Sequence, residues 1–130
     1  MEEAKAKYKI LIVDDSDFSR SNIAEMLNDD RFQIIGEASN AKEAMATLKD
    51  RTAHVAIIDV VMPGISGLEL AETMSQNFPD TAIIMISSLA HESIIIDAIS
   101  MGASDFIQKP FKKADLINSL EKILINIEDE

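Results

Sequence analysis

Short apolar runs alternate along this chain with segments in which apolar residues recur every three or four positions. Three of the runs, at 8–13, 55–59 and 82–87, are nearly continuous and rich in β-branched residues. Such runs are typical of strands that are buried on both faces of a parallel sheet. Two weaker runs, at 32–38 and 105–108, predict strands in edge or peripheral positions.

A helical pattern follows each predicted strand. Residues that favour the N-cap position mark the starts of the first three helices: Ser16 or Asp17, Asn40, and Ser66. A fourth helix is predicted over 91–101, and a fifth carries an apolar stripe formed by Leu116, Ile117, Leu120, Ile123, Leu124 and Ile127. Five strands alternating with five helices predict an α/β fold in which helices cover both faces of a parallel sheet.

Length and composition narrow the class of protein. The 130 residues, 47% of them hydrophobic, predict a single domain over 1–130 with a core of about 8–127 and no output domain. Acidic residues outnumber basic ones 23 to 12, and a net charge of -11 argues against nucleic acid or an anionic membrane as a partner. The chain has no cysteine and no apolar run of membrane-spanning length, so we expect a cytoplasmic protein without disulfides.

Polar side chains fall where four of the predicted strands end. Asp14 and Asp15 follow the first strand, Asp59 ends the third, Ser87 ends the fourth, and Lys109 follows the fifth. Each of these residues alone has an ordinary explanation as a cap, a turn or a solvated surface residue. Function in an open parallel sheet collects at the carboxyl ends of the strands, so we expect these side chains to converge there.

The converging side chains point to a particular chemistry. Three clustered carboxylates repel one another and need a cation, and an all-oxygen ligand set favours a hard ion, Mg²⁺ first. Carboxylates, Mg²⁺, a lysine and a hydroxyl together suit phosphoryl transfer. The four glycines form no phosphate-cradling loop, so a tightly held nucleotide is not expected. The phosphoryl group is expected to arrive on a small molecule or on another protein.

Four segments give the chain a family resemblance. The segments 13–20, 59–67, 87–88 and 102–111 read VDDSDFSR, DVVMPGISG, SS and GASDFIQKPF. In order and spacing they resemble the receiver domain of bacterial two-component response regulators, and most closely the stand-alone, chemotaxis-type (CheY-like) members. The resemblance covers nearly the whole chain and implies a flavodoxin-like (βα)5 fold with strand order 2-1-3-4-5.

The resemblance also implies the roles of the acidic residues. Asp59 would be the phosphoacceptor, attacking the phosphorus of a phosphohistidine on a histidine kinase. Asp15, Asp59 and the backbone carbonyl of Val61 would hold Mg²⁺, with Asp14 assisting through water.

The remaining site residues would detect and transmit the phosphorylation. Lys109 would bind one phosphoryl oxygen as a compact point charge, and Ser87 would donate its hydroxyl to another. Phe106 would turn inward as Ser87 moves. The Lys109–Pro110 peptide bond would be cis.

On this reading the protein is a phosphorylation-activated signalling switch and not an enzyme, although it assists its own phosphorylation and dephosphorylation. Its partners would be a histidine kinase of the chemotaxis type and a downstream protein such as the flagellar motor switch. A phosphorelay intermediate is the alternative within the family. The protein is expected to be a monomer, with a phosphorylation-linked dimer as the other possibility.

A Mg²⁺-dependent phosphohydrolase with an aspartyl-phosphate intermediate is the remote alternative from another class. Such an enzyme needs a nucleophile and a second acid two residues later, and Asp15 and Asp17 have that spacing. The chain is short for such an enzyme and has no segment that suggests a cap domain.

Two further expectations concern apolar positions. The fourth helix carries more apolar side chains than one packed face can bury, so we expect an exposed partner surface formed by Ile95 and Ile99 beside Phe106. Loose packing that hides these isoleucines is the alternative.

Val61 and Leu89 flank the predicted site, and neither can orient an attacking water, which predicts slow hydrolysis of the acyl phosphate.

Overall fold

The computed structural model describes residues 7–128, with side chains as far as residue 126. The elements follow one another as β1 (Tyr8–Val13), α1 (Asp17–Met26), β2 (Phe32–Ala38), α2 (Ala41–Asp50), β3 (Val55–Asp59), α3 (Gly67–Asn77), β4 (Ala82–Ser87), α4 (Glu92–Ser100), β5 (Asp105–Gln108) and α5 (Lys113–Glu128). All five strands lie where the apolar runs predicted them. The strict alternation of strands and helices confirms the predicted α/β class.

The five strands form one parallel sheet in the order β2-β1-β3-β4-β5. This is the flavodoxin-like order that the resemblance implied. The two weaker apolar runs became the edge strands β2 and β5, which have a neighbour on one side only. The central strand β3 is buried along its whole length, which is why its sequence contains no alternating polar positions.

Helices cover both faces of the sheet, and each face has its own apolar core. On one face, α1 and α5 pack through Ile23, Leu27, Leu116, Leu120, Ile123 and Leu124. On the other face, α2, α3 and α4 pack through Ala41, Ala44, Leu48, Leu70, Ala71, Met74 and Ala98. The apolar stripe predicted for the fifth helix therefore belongs to the core. Ile127, its last predicted member, lies outside the described side chains.

Side-chain caps fix the starts of the first three helices. Ser16, Asn40 and Ser66 each accept a hydrogen bond from the backbone N–H three residues later. Asp17, the other candidate for the first cap, is the first helical residue and forms an exposed ion pair with Arg20. The start of α4 differs, because His91 at its N-cap position makes no capping bond through its side chain.

A close approach at Gly67 brings α3 against the end of β3. A Cβ atom at this position would lie 2.1 Å from the carbonyl oxygen of Asp59. The Gly67 N–H donates to the carbonyl of Val60 at 2.8 Å. Glycine at this position therefore lets the helix begin directly behind the strand end that carries Asp59.

None of the helices within the described residues 7–128 is long and apolar enough to cross a membrane.

Candidate functional site: an acidic pocket at the carboxyl edge of the sheet

Three carboxylates meet at the carboxyl edge of the sheet, as the strand ends predicted. Asp14 follows β1 and is fully buried, Asp59 ends β3 and is almost fully buried, and Asp15 is exposed. One oxygen atom from each of the three carboxylates lies within 4.8 Å of the other two. The pocket therefore combines two buried acids with one that opens to solvent.

Asp14 is surrounded by hydrogen-bond donors. Its Oδ2 atom accepts from the Ser19 hydroxyl at 2.6 Å and from Lys109 Nζ at 2.9 Å, and its Oδ1 atom accepts from the Ser16 N–H at 2.9 Å. Burial opposes ionisation of Asp14, but the bonds from Ser19, Ser16 and Lys109 outweigh it and hold the pKa below its usual value. These bonds therefore favour the charged form of Asp14.

For Asp59, the effects that raise the pKa outweigh those that lower it. Burial, followed by the charge of Asp14, raises the pKa of Asp59 from 3.8 to about 6. The charge of Lys109 and the backbone N–H of Val61 act in the opposite direction, and the charge of Asp15 adds to the rise. At neutral pH Asp59 is ionised but poorly compensated, so this carboxylate gains most from an added positive charge.

Lys109 links the two buried acids. Its Nζ atom lies 2.9 Å from Asp14 Oδ2 and 3.6 Å from Asp59 Oδ2. Its backbone N–H donates to the carbonyl of Ser87 at 2.8 Å, and the Lys109–Pro110 peptide bond is cis. The ammonium group is therefore held over the pocket from the end of β5.

Ser87 and Phe106 lie on the neighbouring strands β4 and β5, where Ser87 pairs with Gln108 and Phe106 with Met85. Ser87, the last residue of β4, is fully buried, and its Oγ atom accepts a hydrogen bond from the Leu89 N–H at 2.9 Å. Phe106 is half-buried and packs, as Ile94 does, against the core on the α2–α4 face of the sheet. The structure thus places a buried hydroxyl at the carboxyl end of β4 and a half-buried aromatic ring on the adjacent strand β5.

The apolar surface of α4 differs in one position from the predicted set. Ile99 is 50% exposed, as predicted. Ile95 is half-buried, whereas Ile96, which was not predicted, is 55% exposed. Ala98 is the residue of α4 that is fully buried. The face opposite Ala98 therefore carries Ile96 and Ile99, and Ile96 is the member that the sequence interpretation missed.

Two residues at the start of α1 were also not assigned a role from the sequence. The Ser19 hydroxyl binds Asp14, and Arg20 Nη1 donates to the backbone carbonyl of Asp14 at 2.5 Å. Ser19 and Arg20 follow Asp15 by four and five residues in the sequence, which places both in the first turn of the helix after the strand. This spacing is the one sequence signal that could have indicated their roles.

The donor set of the pocket fits a hard divalent cation. All three clustered side chains offer carboxylate oxygens, and a cation between them would relieve the repulsion that raises the pKa of Asp59. The acidic pocket formed by Asp14, Asp15 and Asp59 can therefore hold a metal ion. Because Asp14 already accepts three hydrogen bonds from the protein, Asp15 and Asp59 have the more available oxygens.

Fold and site together define a flavodoxin-like α/β domain with an acidic pocket at the carboxyl edge of its parallel sheet. The chain belongs to the response regulator receiver domain family, whose model matches residues 10–121. It is 37% identical over 115 residues to the chemotaxis protein CheY of Listeria monocytogenes, covering 88% of this chain and 96% of that protein. It is 34% identical over 117 residues to CheY of Bacillus subtilis, covering 90% and 98%.

Solved structures give the same assignment. CheY of Borrelia burgdorferi, in a complex described as CheX-CheY-BeF3-Mg, has a TM-score of 0.86 at 27% identity and covers 90% of this chain and 89% of that one. A CheY-like receiver from Methanospirillum hungatei has a TM-score of 0.87 at 24% identity, covering 96% and 100%, and shows the fold alone. The chain is therefore a CheY-like receiver domain of two-component signalling.

Proposed function

We propose that this protein is a phosphorylation-activated switch in which Asp59 accepts a phosphoryl group from a histidine kinase. The observation that carries the proposal is the position of Asp59, which is buried beside a second acid and 3.6 Å from Lys109 Nζ. A carboxylate with a pKa of about 6 is ionised at neutral pH. Its oxygen forms the new O–P bond while the P–N bond to the histidine breaks, and the electron pair of that bond stays on the imidazole nitrogen.

Asp15, Asp59 and the backbone carbonyl of Val61 would hold Mg²⁺, with Asp14 assisting through water. When bound, Mg²⁺ neutralises negative charge that develops on the phosphoryl oxygens. The like charges in the pocket and the raised pKa of Asp59 support this assignment. The protein itself contributes the positions of the carboxylates and the ammonium group of Lys109, and in this sense assists its own phosphorylation and dephosphorylation.

Ser87, Lys109 and Phe106 would convert phosphorylation into a change of surface. Lys109 and the Ser87 hydroxyl each bind a phosphoryl oxygen, and the space that Ser87 leaves is taken by the half-buried ring of Phe106. Support comes from the position of these residues on adjacent strands: Ser87 ends β4, and Phe106 lies on β5 opposite Met85, two residues before Ser87. Because Phe106 has no hydroxyl, its contribution to the new surface is packing alone.

The readout surface in this proposal is the α4–β5–α5 face. Ile99, Ile95 and Phe106 were predicted for it, and the exposure of Ile96 extends it. Exposed isoleucines on a helix with one fully buried residue support a contact surface for a protein. The relatives described as chemotaxis proteins support a chemotaxis or motility output. We infer a cytoplasmic protein with a chemotaxis-type kinase upstream and a motor-switch protein downstream.

The proposal treats the chain as one stand-alone receiver that signals by protein contact. The CheY relatives, of which it covers 96% and 98%, support this. A phosphorelay role, in which the group on Asp59 passes to another histidine, uses the same site and remains the second candidate. The phosphohydrolase alternative lacks support, because Asp17 is exposed and paired with Arg20 and is not in the pocket.

The test is phosphorylation of the purified chain by a small donor, phosphoramidate, with Mg²⁺ or with a chelator. We expect one acid-labile, hydroxylamine-sensitive phosphoryl group per chain with Mg²⁺ and none in Asp59→Asn. Asp80→Asn, which removes an exposed aspartate outside the pocket, is the matched control and should behave as wild type. Phosphorylation that persists in Asp59→Asn, or sustained multiple-turnover phosphate release, would contradict the proposal.

A further inference from the structure

One carboxylate oxygen in the pocket has two donors from the protein. Asp14 Oδ2 lies 2.6 Å from the Ser19 hydroxyl and 2.9 Å from Lys109 Nζ. Asp14 is fully buried, so these two side chains, and not bulk water, satisfy that oxygen. The other oxygen, Oδ1, accepts from the Ser16 N–H.

The two donors have different further uses. Lys109 Nζ also lies 3.6 Å from Asp59 Oδ2. In the proposed function, on which this inference rests, Lys109 binds a phosphoryl oxygen on Asp59 and so moves away from Asp14. A buried charged acceptor that loses its last donor is strongly destabilised. If Lys109 were the only donor to Asp14 Oδ2, its movement to the phosphoryl oxygen would leave that buried oxygen without a hydrogen bond. Asp14 would then oppose the movement of Lys109.

Ser19 is fixed in place by the local structure of α1. Its backbone N–H donates to the Ser16 hydroxyl at 3.1 Å in the helix cap. On the next residue, Arg20 Nη1 binds the backbone carbonyl of Asp14 at 2.5 Å. The start of α1 is therefore tied to Asp14, the residue after β1, by the Ser16 N–H on one side of Ser19 and by Arg20 on the other.

We propose that Ser19 is a positioning residue for phosphoryl transfer. Its hydroxyl keeps Asp14 Oδ2 hydrogen-bonded when Lys109 leaves, and it thereby frees the ammonium group for the phosphoryl oxygen. Ser19 acts through Asp14 and Lys109 and does not itself contact the reacting atoms. A residue without a hydroxyl at this position would hold Lys109 back on Asp14.

The first measurement is the rate constant of phosphorylation by phosphoramidate at saturating Mg²⁺. We expect Ser19→Ala to lower it about tenfold, which is the effect of losing a hydrogen bond to a charged group. Ser19→Thr keeps the hydroxyl and should stay within about twofold of wild type. Ser21→Ala, which removes an exposed hydroxyl from the same helix, is the matched control and should leave the rate unchanged.

The second measurement repeats Ser19→Ala in a Lys109→Ala background. With the ammonium group absent, nothing has to be released, so removal of the Ser19 hydroxyl should change the remaining rate by less than about twofold. A role in simply orienting Asp14 would lower the rate in both backgrounds. An equal loss with and without Lys109 would therefore overturn the inference.

The Mg²⁺ dissociation constant, measured by titration calorimetry, separates this role from metal binding. We expect Ser19→Ala to change it by less than about twofold, whereas a loss of affinity large enough to explain the slower reaction would overturn the inference. If wild type is phosphorylated and Ser19→Ala reacts equally fast, the proposed role of Ser19 is wrong but the proposed function is not affected. Absence of wild-type phosphorylation on Asp59 defeats the proposed function as well.

Discussion

Asp14 and Asp59 show how neighbouring donors decide the behaviour of two buried acids in one pocket. Burial acts on both, but Asp14 accepts hydrogen bonds from Ser16, Ser19 and Lys109, whereas Asp59 receives less compensation and feels the charge of Asp14. The pKa of Asp14 is lowered and that of Asp59 is raised. Negative charge is therefore stable on Asp14 and costly on Asp59, the residue that the proposal makes the phosphoacceptor.

This imbalance gives the metal-free protein a defined pH dependence. A folded-state pKa raised from 3.8 to about 6 contributes stability below the unfolded value, and that contribution is lost as pH rises through about 6. With a chelator present near neutral pH, Asp59→Asn should be more stable than wild type by about 2 to 3 kcal/mol. The difference should shrink toward pH 4, at which wild-type Asp59 is protonated.

Urea unfolding of both proteins across this pH range measures the effect. Asp80→Asn controls for the general loss of one negative charge from an acidic chain. A variant Asp59→Asn that is less stable than wild type near neutral pH would show that the charge of Asp59 is well compensated without a cation.

Val61 lies two residues after Asp59 and is 52% exposed. Its side chain cannot hydrogen-bond a water molecule, whereas an amide at this position can. We expect Val61→Asn to speed hydrolysis of the acyl phosphate about tenfold, which corresponds to one added hydrogen bond to the attacking water. The measurement is the decay of phosphorylated protein after removal of the donor.

Ile65→Asn is the control for Val61→Asn, because Ile65 lies in the same loop and is also 52% exposed. It should leave the decay rate unchanged. Equal decay rates for Val61→Asn and wild type would contradict the hypothesis that hydrolysis is slow because the Val61 side chain cannot orient the attacking water.

At the scale of elements, the sequence of α4 could not specify which of its apolar residues face the sheet. Its run of isoleucines predicted an exposed apolar surface, but periodicity alone does not say which of several large residues faces the sheet. The contact that sets the rotation of the helix is made by the small residue Ala98. Ile94 lies one turn before it on the inner side, and Ile96 and Ile99 face outward.

The orientation of α4 has a consequence for stability. Ile94→Ser should cost about 2 kcal/mol, because Ile94 packs against the core, whereas Ile96→Ser should change stability by less than about 0.5 kcal/mol. Urea unfolding of the two variants checks this. A comparable loss in Ile96→Ser would mean that Ile96 serves the fold and is not available to a partner.

The start of α3 depends on the absence of a side chain at Gly67. A methyl group there would meet the backbone of Asp59 and Val60, so Gly67→Ala should push α3 away from β3 and cost about 3 kcal/mol. Gly64→Ala, in the same loop, has positive φ but open space around it and should cost only about 1 to 2 kcal/mol. Thermal unfolding that ranks Gly64→Ala as the more harmful change would contradict this account of the helix start.

For the whole molecule, the sequence predicted most of the fold because the local apolar patterns agreed with the overall topology of the sheet. Strand bounds followed from continuous apolar runs, and the convergence of Asp14, Asp59 and Lys109 followed from the rule that parallel strands end at one edge. The hydrogen bond of Ser19 was not predicted, since serines are common and only the rotation of α1 aims this hydroxyl at Asp14. The two edge positions of β2 and β5 were indicated by their weaker apolar character.

The acidic composition also acquires a specific meaning. Part of the net charge of -11 lies in one pocket, where the charge of Asp59 is costly unless a cation compensates it. Outside the pocket, α4 presents the exposed isoleucines Ile96 and Ile99. In the proposed function, a change of charge at a single residue, Asp59, alters the contacts of this molecule with other proteins.

The most direct measurement is transfer from a phosphorylated histidine kinase of the same cell to this chain, with the modified residue located by mass spectrometry after borohydride reduction. The account predicts that, with Mg²⁺, label leaves the kinase and appears on Asp59 as an acyl phosphate. It also predicts that no label appears on Asp59→Asn. Label that remains on every candidate kinase, or that appears on a residue other than Asp59, would contradict it.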